Sequence, residues 1–355
     1  MAYGKYYIYK EKVSYDSGHT WEYTGVEVTS GDPIAVYDTL SECEGITPYS
    51  GQYLTFIAQD SGAFGFAKNR NSGSIQYKKN DGEWITDSAV TVNSGDVVMW
   101  KGEMTPYTKW PYGIGGFQST CNFVAEGNVM SLLYGDNFVG QTDLSEKGYA
   151  FWCLFYNCIN LTNIDNLVLP ATTLSEGCYA LMFNFCSSLT SIPSDLLPAT
   201  TLASNCYQQM FDGCDSLTSI PSGLLPATTL ASNCYLGMFS SCSSLTSIPS
   251  GLLPATTLAE DCYRGMFDYC SNITTAPILS ATTLADRCYH MMFYDCPSLN
   301  SITCLATDIS ADGCTGYWVN GVAANGTFVK NSSMSSWTTG NDGIPSGWTV
   351  QNYIS

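Results

Sequence analysis

Positive charge is scarce in this chain. Its 355 residues carry 13 Lys and Arg against 31 Asp and Glu, a formal charge of −18. Between Gly148 and Asp312 the only Lys or Arg are Arg264 and Arg287. A surface that holds a nucleic-acid backbone needs clustered Lys and Arg, so nucleic acid is excluded as a partner. The acidic surplus is read first as keeping a Ser- and Thr-rich surface soluble. Long apolar runs are missing as well. No stretch approaches the roughly 18 residues that cross a bilayer, so no membrane insertion is expected. The opening MAYGKYYIYKEKVSYDSG lacks the apolar core of a signal peptide, which points to a chain that begins in a cytoplasm.

The patterns that carry chemistry are missing too. The two histidines, His19 and His290, have no nameable partner, and there is no GxSxG elbow, Ser–His–Asp set or Gly-rich phosphate loop. Asp212, Asp268 and Asp295 recur near one place in a repeat, but Asn184 and Ser240 take that place in other units. A catalytic carboxylate pair or a calcium ladder would not tolerate that drift. No CxxC pair or nearby His completes a zinc set. The expectation is a protein that is not an enzyme, with no catalytic residue, no metal and no cofactor.

What is present is a repeat. LASNCYQQMFDGCDSLTSIPSGLLPATT is one of five similar units whose leading residues are Leu174, Leu202, Leu230, Leu258 and Leu284, with steps of 28, 28, 28 and 26. A degenerate unit starts at Leu144. The step lies in the leucine-rich-repeat range and reads as a solenoid. Cys206, Met210 and Cys214 recur every four residues, as do Tyr207 and Phe211. That spacing predicts a short helix in each unit, capped by Ser204 or Asn205 and ended by Gly213. One short parallel strand per unit is expected, in either LTSI or ATTL. The chain has 16 cysteines. Pairs such as Cys206 and Cys214 would stand about 12 Å apart along a helix axis, too far for a disulfide. Reduced, packed thiols are expected.

The flanks alternate like strands. Residues 1–48 read as an N-terminal β module in which Ser14-Tyr15-Asp16-Ser17-Gly18-His19-Thr20-Trp21 fits an Asp-box hairpin, with Asp16 accepting backbone N–H groups. Residues 49–135 read as a sandwich-like β domain with a hairpin turn at Asn80–Gly82. Its irregular stretch, Gly102 to Phe117, is either a binding loop or a loop packed on the first repeat. Residues 136–322 form the solenoid. Residues 323–355 form a C-terminal cap in which Phe328, Trp337, Trp348 and Tyr353 cover the open end and turns at 325, 341 and 345 make short hairpins. The fold class expected is therefore mainly β N-terminal modules, then an α/β leucine-rich-repeat solenoid with a C-terminal β cap.

Inside the repeats the packing residues stay constant, while the two positions after Cys-Tyr and the two before the second Cys vary. These slots are either a recognition surface or solvent-facing positions free to drift. Arg264, Tyr269, His290, Met291 and Tyr294 are the large residues in them, and Gln208 and Gln209 belong to the same set. These seven are the candidate ligand-binding residues.

The CYxxMFxxCxSLTSIP…LPATTLA units resemble the BspA-like branch of leucine-rich repeats. Together with VSYDSGHTW, VVMWKGEMTPY, GNVMSLLYGDNF and TFVKNSSMSSWTTGNDGIPSGWTVQNY, the chain resembles repeat proteins of gut Bacteroides and of their crAss-like bacteriophages. The resemblance implies a virion or surface protein and attachment to a surface. With no signal peptide, the virion version is favoured: a tail or head fibre component assembled in the host cytoplasm and extracellular after lysis. Its N-terminal module would dock on other virion proteins, and its solenoid would contact a host-surface glycan or protein. A purely architectural virion spacer and a bacterial surface adhesin are the alternatives. A homo-oligomer is left open, since no sustained heptads are present.

Overall fold

The computed structural model describes residues 49, 51–67, 74–105, 116–335 and 337–354, and before them only the backbone of four strands. Those strands are β1 (Tyr6–Tyr9), β2 (Lys12–Tyr15), β3 (His19–Glu22) and β4 (Ala35–Tyr37), in the order β3-β2-β1-β4. Strands β2 and β3 pair antiparallel with Val13 opposite Trp21 and Tyr15 opposite His19. Asp16 and the Trp21 side chain lie outside the described residues, as do residues 106–115 of the irregular stretch.

Seven strands follow: β5 (Leu54–Ala58), β6 (Gly62–Phe66), β7 (Ile75–Lys79), β8 (Ala89–Val92), β9 (Val97–Gly102), β10 (Phe117–Ser119) and β11 (Phe123–Asn128). They make one sheet ordered β11-β5-β9-β7 and another ordered β10-β6-β8. Alternation places Val98 and Trp100 of β9 inward, and Phe56 and Phe64 face each other between the sheets, centroids 5.3 Å apart. A one-turn helix, α1 (Ser131–Tyr134), leads to β12 (Leu161–Asn163) and β13 (Leu167–Val168), which pair in parallel with β11. The repeats thus start directly on the sheet, and one apolar core runs from Leu54 to Trp348.

The α/β leucine-rich-repeat solenoid is not what forms. The protein is mostly β, with mixed and parallel sheets, and its α-helix among the described residues is the four-residue α1. The Cys-Tyr-x-x-Met-Phe-x-x-Cys segments, expected as helices, are chains of turns. Every fourth residue there has positive φ: Asn205 (57°), Gln209 (50°) and Gly213 (71°) in one unit, and Asp261 (53°), Gly265 (57°) and Tyr269 (58°) two units on. A right-handed helix cannot pass through such a residue. The backbone N–H groups divide their bonds in strict alternation. Gln208 and Met210 donate to the carbonyls three residues back, while Tyr207, Gln209 and Phe211 donate to Cys234, Leu236 and Met238 of the next unit. Every donor in the segment is used, so the buried turns leave no orphan.

Stacking these coils at 28-residue offsets aligns identical side chains. Tyr179, Tyr207, Tyr235, Tyr263 and Tyr289 form one ladder of parallel rings about 6 Å apart. Phe155, Phe183, Phe211, Phe239, Phe267 and Phe293 form another. The 15 described cysteines are all buried. The second thiol of each coil donates to the Phe carbonyl of the coil before, as Cys242 does to Phe211 at 3.2 Å and Cys270 to Phe239 at 3.1 Å. Both LTSI and ATTL contribute single parallel bridges, Ser219 with Ser247 and Thr201 with Thr229.

At the far end the expected hairpins are replaced by a parallel sheet of β14 (Ser301–Cys304), β15 (Thr327–Lys330) and β16 (Thr349–Asn352). The turns at 325, 341 and 345 therefore lie in crossovers rather than tight hairpins. Trp318 stacks on Tyr289 and on Trp337, and Phe328 and Trp348 close the core, while Tyr353 stays exposed.

Candidate functional site

The coils present one outer face built from four rows, each row one slot repeated down the stack. The first position after Cys-Tyr holds Gln208, Arg264 and His290. The second, a positive-φ slot, holds Gln209, Met291 and, at the end of the stack, Tyr317. The third row lies deeper and holds Asn184 and Asp212, both buried, with the part-buried Ser240, Asp268 and Tyr294. The last, again at positive φ, holds Phe185, Gly213, Ser241, Tyr269 and Asp295.

The structure brings some of the seven sequence-derived candidates together and separates others. Arg264 and His290 occupy aligned slots on adjacent coils, joined by Gly265 N–H donating to the His290 carbonyl at 2.9 Å. Burial, with the charge of Arg264 next, holds the His290 imidazole below its ordinary pKa. Tyr269 and Tyr294 meet edge to face at 5.6 Å. Met291 is half-buried in the coil of His290. Gln208 and Gln209 lie two coils away from Arg264, and Gln209 spends its amide on the Asp212 carboxylate at 3.0 Å. Arg264 is partly engaged as well, with Asp261 at 3.5 Å, a carboxylate that Arg287 shares at 2.9 Å.

The third row is a polar ladder. Asp212 accepts from Asn184 at 3.1 Å and from Gln209, and Ser240 stands between Asp212 and Asp268. Burial raises both carboxyls, Asp268 to about 6. Among the described residues no three His, Cys, Asp or Glu side chains are placed to hold a metal ion.

Sequence reasoning passed over Phe185 and Tyr317. They are exposed by 45% and 51%, and Tyr269 by 49%. All three occupy positive-φ slots, at 58°, 53° and 58°. Bulky side chains there cost about 1–2 kcal/mol each relative to ordinary backbone, and equivalent slots elsewhere carry Gly213, Gly237, Gly265 and Gly321. The signal was available as bulky aromatics in a four-residue frame otherwise rich in Gly and Asn.

Fold and face together define a mostly β protein whose second half is a stack of turn-built coils with an aromatic outer surface. No protein-family model, no curated protein and no solved structure matches the chain.

Proposed function

We propose that the chain is a non-enzymatic recognition protein that contacts a surface ligand through the outer face of its coils. In the setting that the sequence resemblance implies, it is a component of a bacteriophage particle presented to the host cell. The observation that supports this reading is the placing of Phe185, Tyr269 and Tyr317, large apolar groups that are exposed and held at positive φ. Positive φ recurs through all the coils, so what sets these three residues apart is a large apolar side chain left exposed in such a slot.

The test uses labelled protein on intact gut Bacteroides cells, beside a variant carrying Phe185→Gly, Tyr269→Gly and Tyr317→Gly. Glycine accepts these backbone angles, so the variant keeps its fold. The expected result is saturable binding by the wild type and a loss of at least about tenfold, roughly 1.4 kcal/mol, in the variant. Equal binding by both proteins, or none by either across a broad strain panel, overturns the proposal.

A further inference from the structure

Where the small sheet β10-β6-β8 meets the first coil there is an open groove of about 660 Å³, within the size range of small-ligand sites. Its floor is the outward side of the sheet. Phe64, Phe66, Val90 and Phe117 point into the core, which turns Ala63, Gly65, Ala89 and Gln118 outward. Gly65 sits between Gln118 and Ala89 in the strand register, so the floor is flat and small at its centre. The wall comes from the first coil: Tyr156, Asn157, Ile159 and Asn160.

Gly65 is the informative residue. Its backbone does not require glycine, and a β-carbon there would meet only the Ser88 carbonyl, at an ordinary 3.9 Å. Glycine inside a strand is destabilising by about 0.5–1 kcal/mol relative to alanine. Packing does not explain it. Close approach of a ligand to the strand does.

The chemistry of the lining narrows the ligand. Among the described residues no charged side chain lines the groove, and a neutral lining of this kind suits a neutral ligand. The exposed amides of Gln118 and Asn157 supply paired donors and acceptors. Asn160 donates to the Ser119 carbonyl at 2.9 Å, which fixes its amide at the groove wall. Tyr156 and the exposed Ile159 supply apolar surface. Planar amides beside an aromatic ring match a ring of adjacent hydroxyls with an apolar C–H face. The Tyr156 ring also meets Phe185 edge to face at 6.0 Å, so the groove opens onto the aromatic face of the coils.

We infer that this groove binds a neutral oligosaccharide, with one end over Gly65 and the chain continuing toward Phe185. The inference rests on the recognition reading above and adds the class of ligand. Gly65→Thr fills the floor in a residue type that suits a strand. Gln118→Ala with Asn157→Gly removes the free amides and keeps the positive φ of Asn157 permitted. The probe is an array of neutral hexose, deoxyhexose and N-acetylhexosamine oligosaccharides, read beside the cell-binding assay. Expected is binding of the wild type to a subset of the array, a loss of at least tenfold in either variant, and a thermal midpoint for Gly65→Thr no lower than wild type. If wild type and Gly65→Thr bind cells equally and no neutral oligosaccharide binds, the inference fails and the recognition reading stands. If the oligosaccharide binds in the groove while cells are ignored, the inference holds and the cell-surface reading fails.

Discussion

The ring of Phe185 occupies the space that a β-carbon on Gly213 would need, one coil further along the stack. The relation repeats. The Tyr149 ring covers Gly177, the Gln209 side chain lies on Gly237, and Asp295 lies on Gly321. In each pair the two residues share one positive-φ slot on adjacent coils. In these four pairs the glycine leaves the room that the neighbouring side chain fills.

Gly213→Ala is therefore expected to destabilise twice, through its φ of 71° and through the displaced Phe185 ring. The sum is about 2–4 kcal/mol in urea unfolding, from the left-handed-backbone and overpacking terms. Adding Phe185→Gly should restore the steric part and leave about 1–2 kcal/mol of backbone cost. A double-mutant cycle with no coupling would contradict the pairing.

The thiols of the coils are packing groups. Burial pushes Cys178 and Cys234 up to about 12, and Cys186, Cys214, Cys242 and Cys270 also upward. Thiolate is the reactive form. Native protein at pH 8 should react with a disulfide reagent at no more than the one cysteine outside the described residues, Cys43, while unfolded protein reacts at all 16. Several fast-reacting thiols in the native state would be incompatible with the packing described.

The hydroxyls of Tyr207 and Tyr263 are buried without a hydrogen-bond partner. An unpartnered buried hydroxyl costs roughly 1–3 kcal/mol. Tyr207→Phe keeps the ring ladder and should leave stability unchanged or raise it by up to about that amount. A loss above about 1 kcal/mol would mean that the hydroxyl is satisfied in solution.

Asp268 makes stability depend on pH. Its folded pKa, about 6, is above the ordinary 3.8, so the fold favours the protonated form. The contribution is full below about pH 4 and is lost as pH rises through about 6. Asp212, the other raised carboxyl on the ladder, adds in the same direction. Asp268→Asn should flatten this slope and stabilise the protein at pH 7, by up to about 3 kcal/mol. Chemical denaturation at pH 4, 5, 6 and 7 measures it. An unchanged slope would place the titration elsewhere.

The stacking of copies was legible in the sequence, because the apolar residues that fill the interior recur at one step. The local conformation was misread. Cys206, Met210 and Cys214 at a spacing of four fit a helix only loosely, since each step drifts about 40° around a 3.6-residue turn. The frame of Asn205, Gly213, Asn233, Gly237 and Gly265 pointed to left-handed backbone every fourth residue, yet Asn205 and Gly213 also suit helix caps. Parallel strands at the C-terminal end were hidden because Asn-Gly and Pro-Ser-Gly turns serve hairpins and crossovers alike. On the outer face, size and variability drew attention to Arg264 and His290. Phe185 and Tyr317 stand in that same four-residue frame, and the φ angles show what the frame means.

The central claim is that aromatic residues on the coil face are kept for binding at the expense of backbone comfort. Tyr269→Gly tests it most directly, because Tyr269 is half-exposed at a φ of 58° and removing its side chain opens no core cavity. The measurement is urea midpoint and cell-surface affinity on the same preparation. The account predicts a midpoint equal to wild type or higher, by up to about 1 kcal/mol, together with weakened binding. A lowered midpoint with unchanged binding would make Tyr269 a structural residue and contradict the claim.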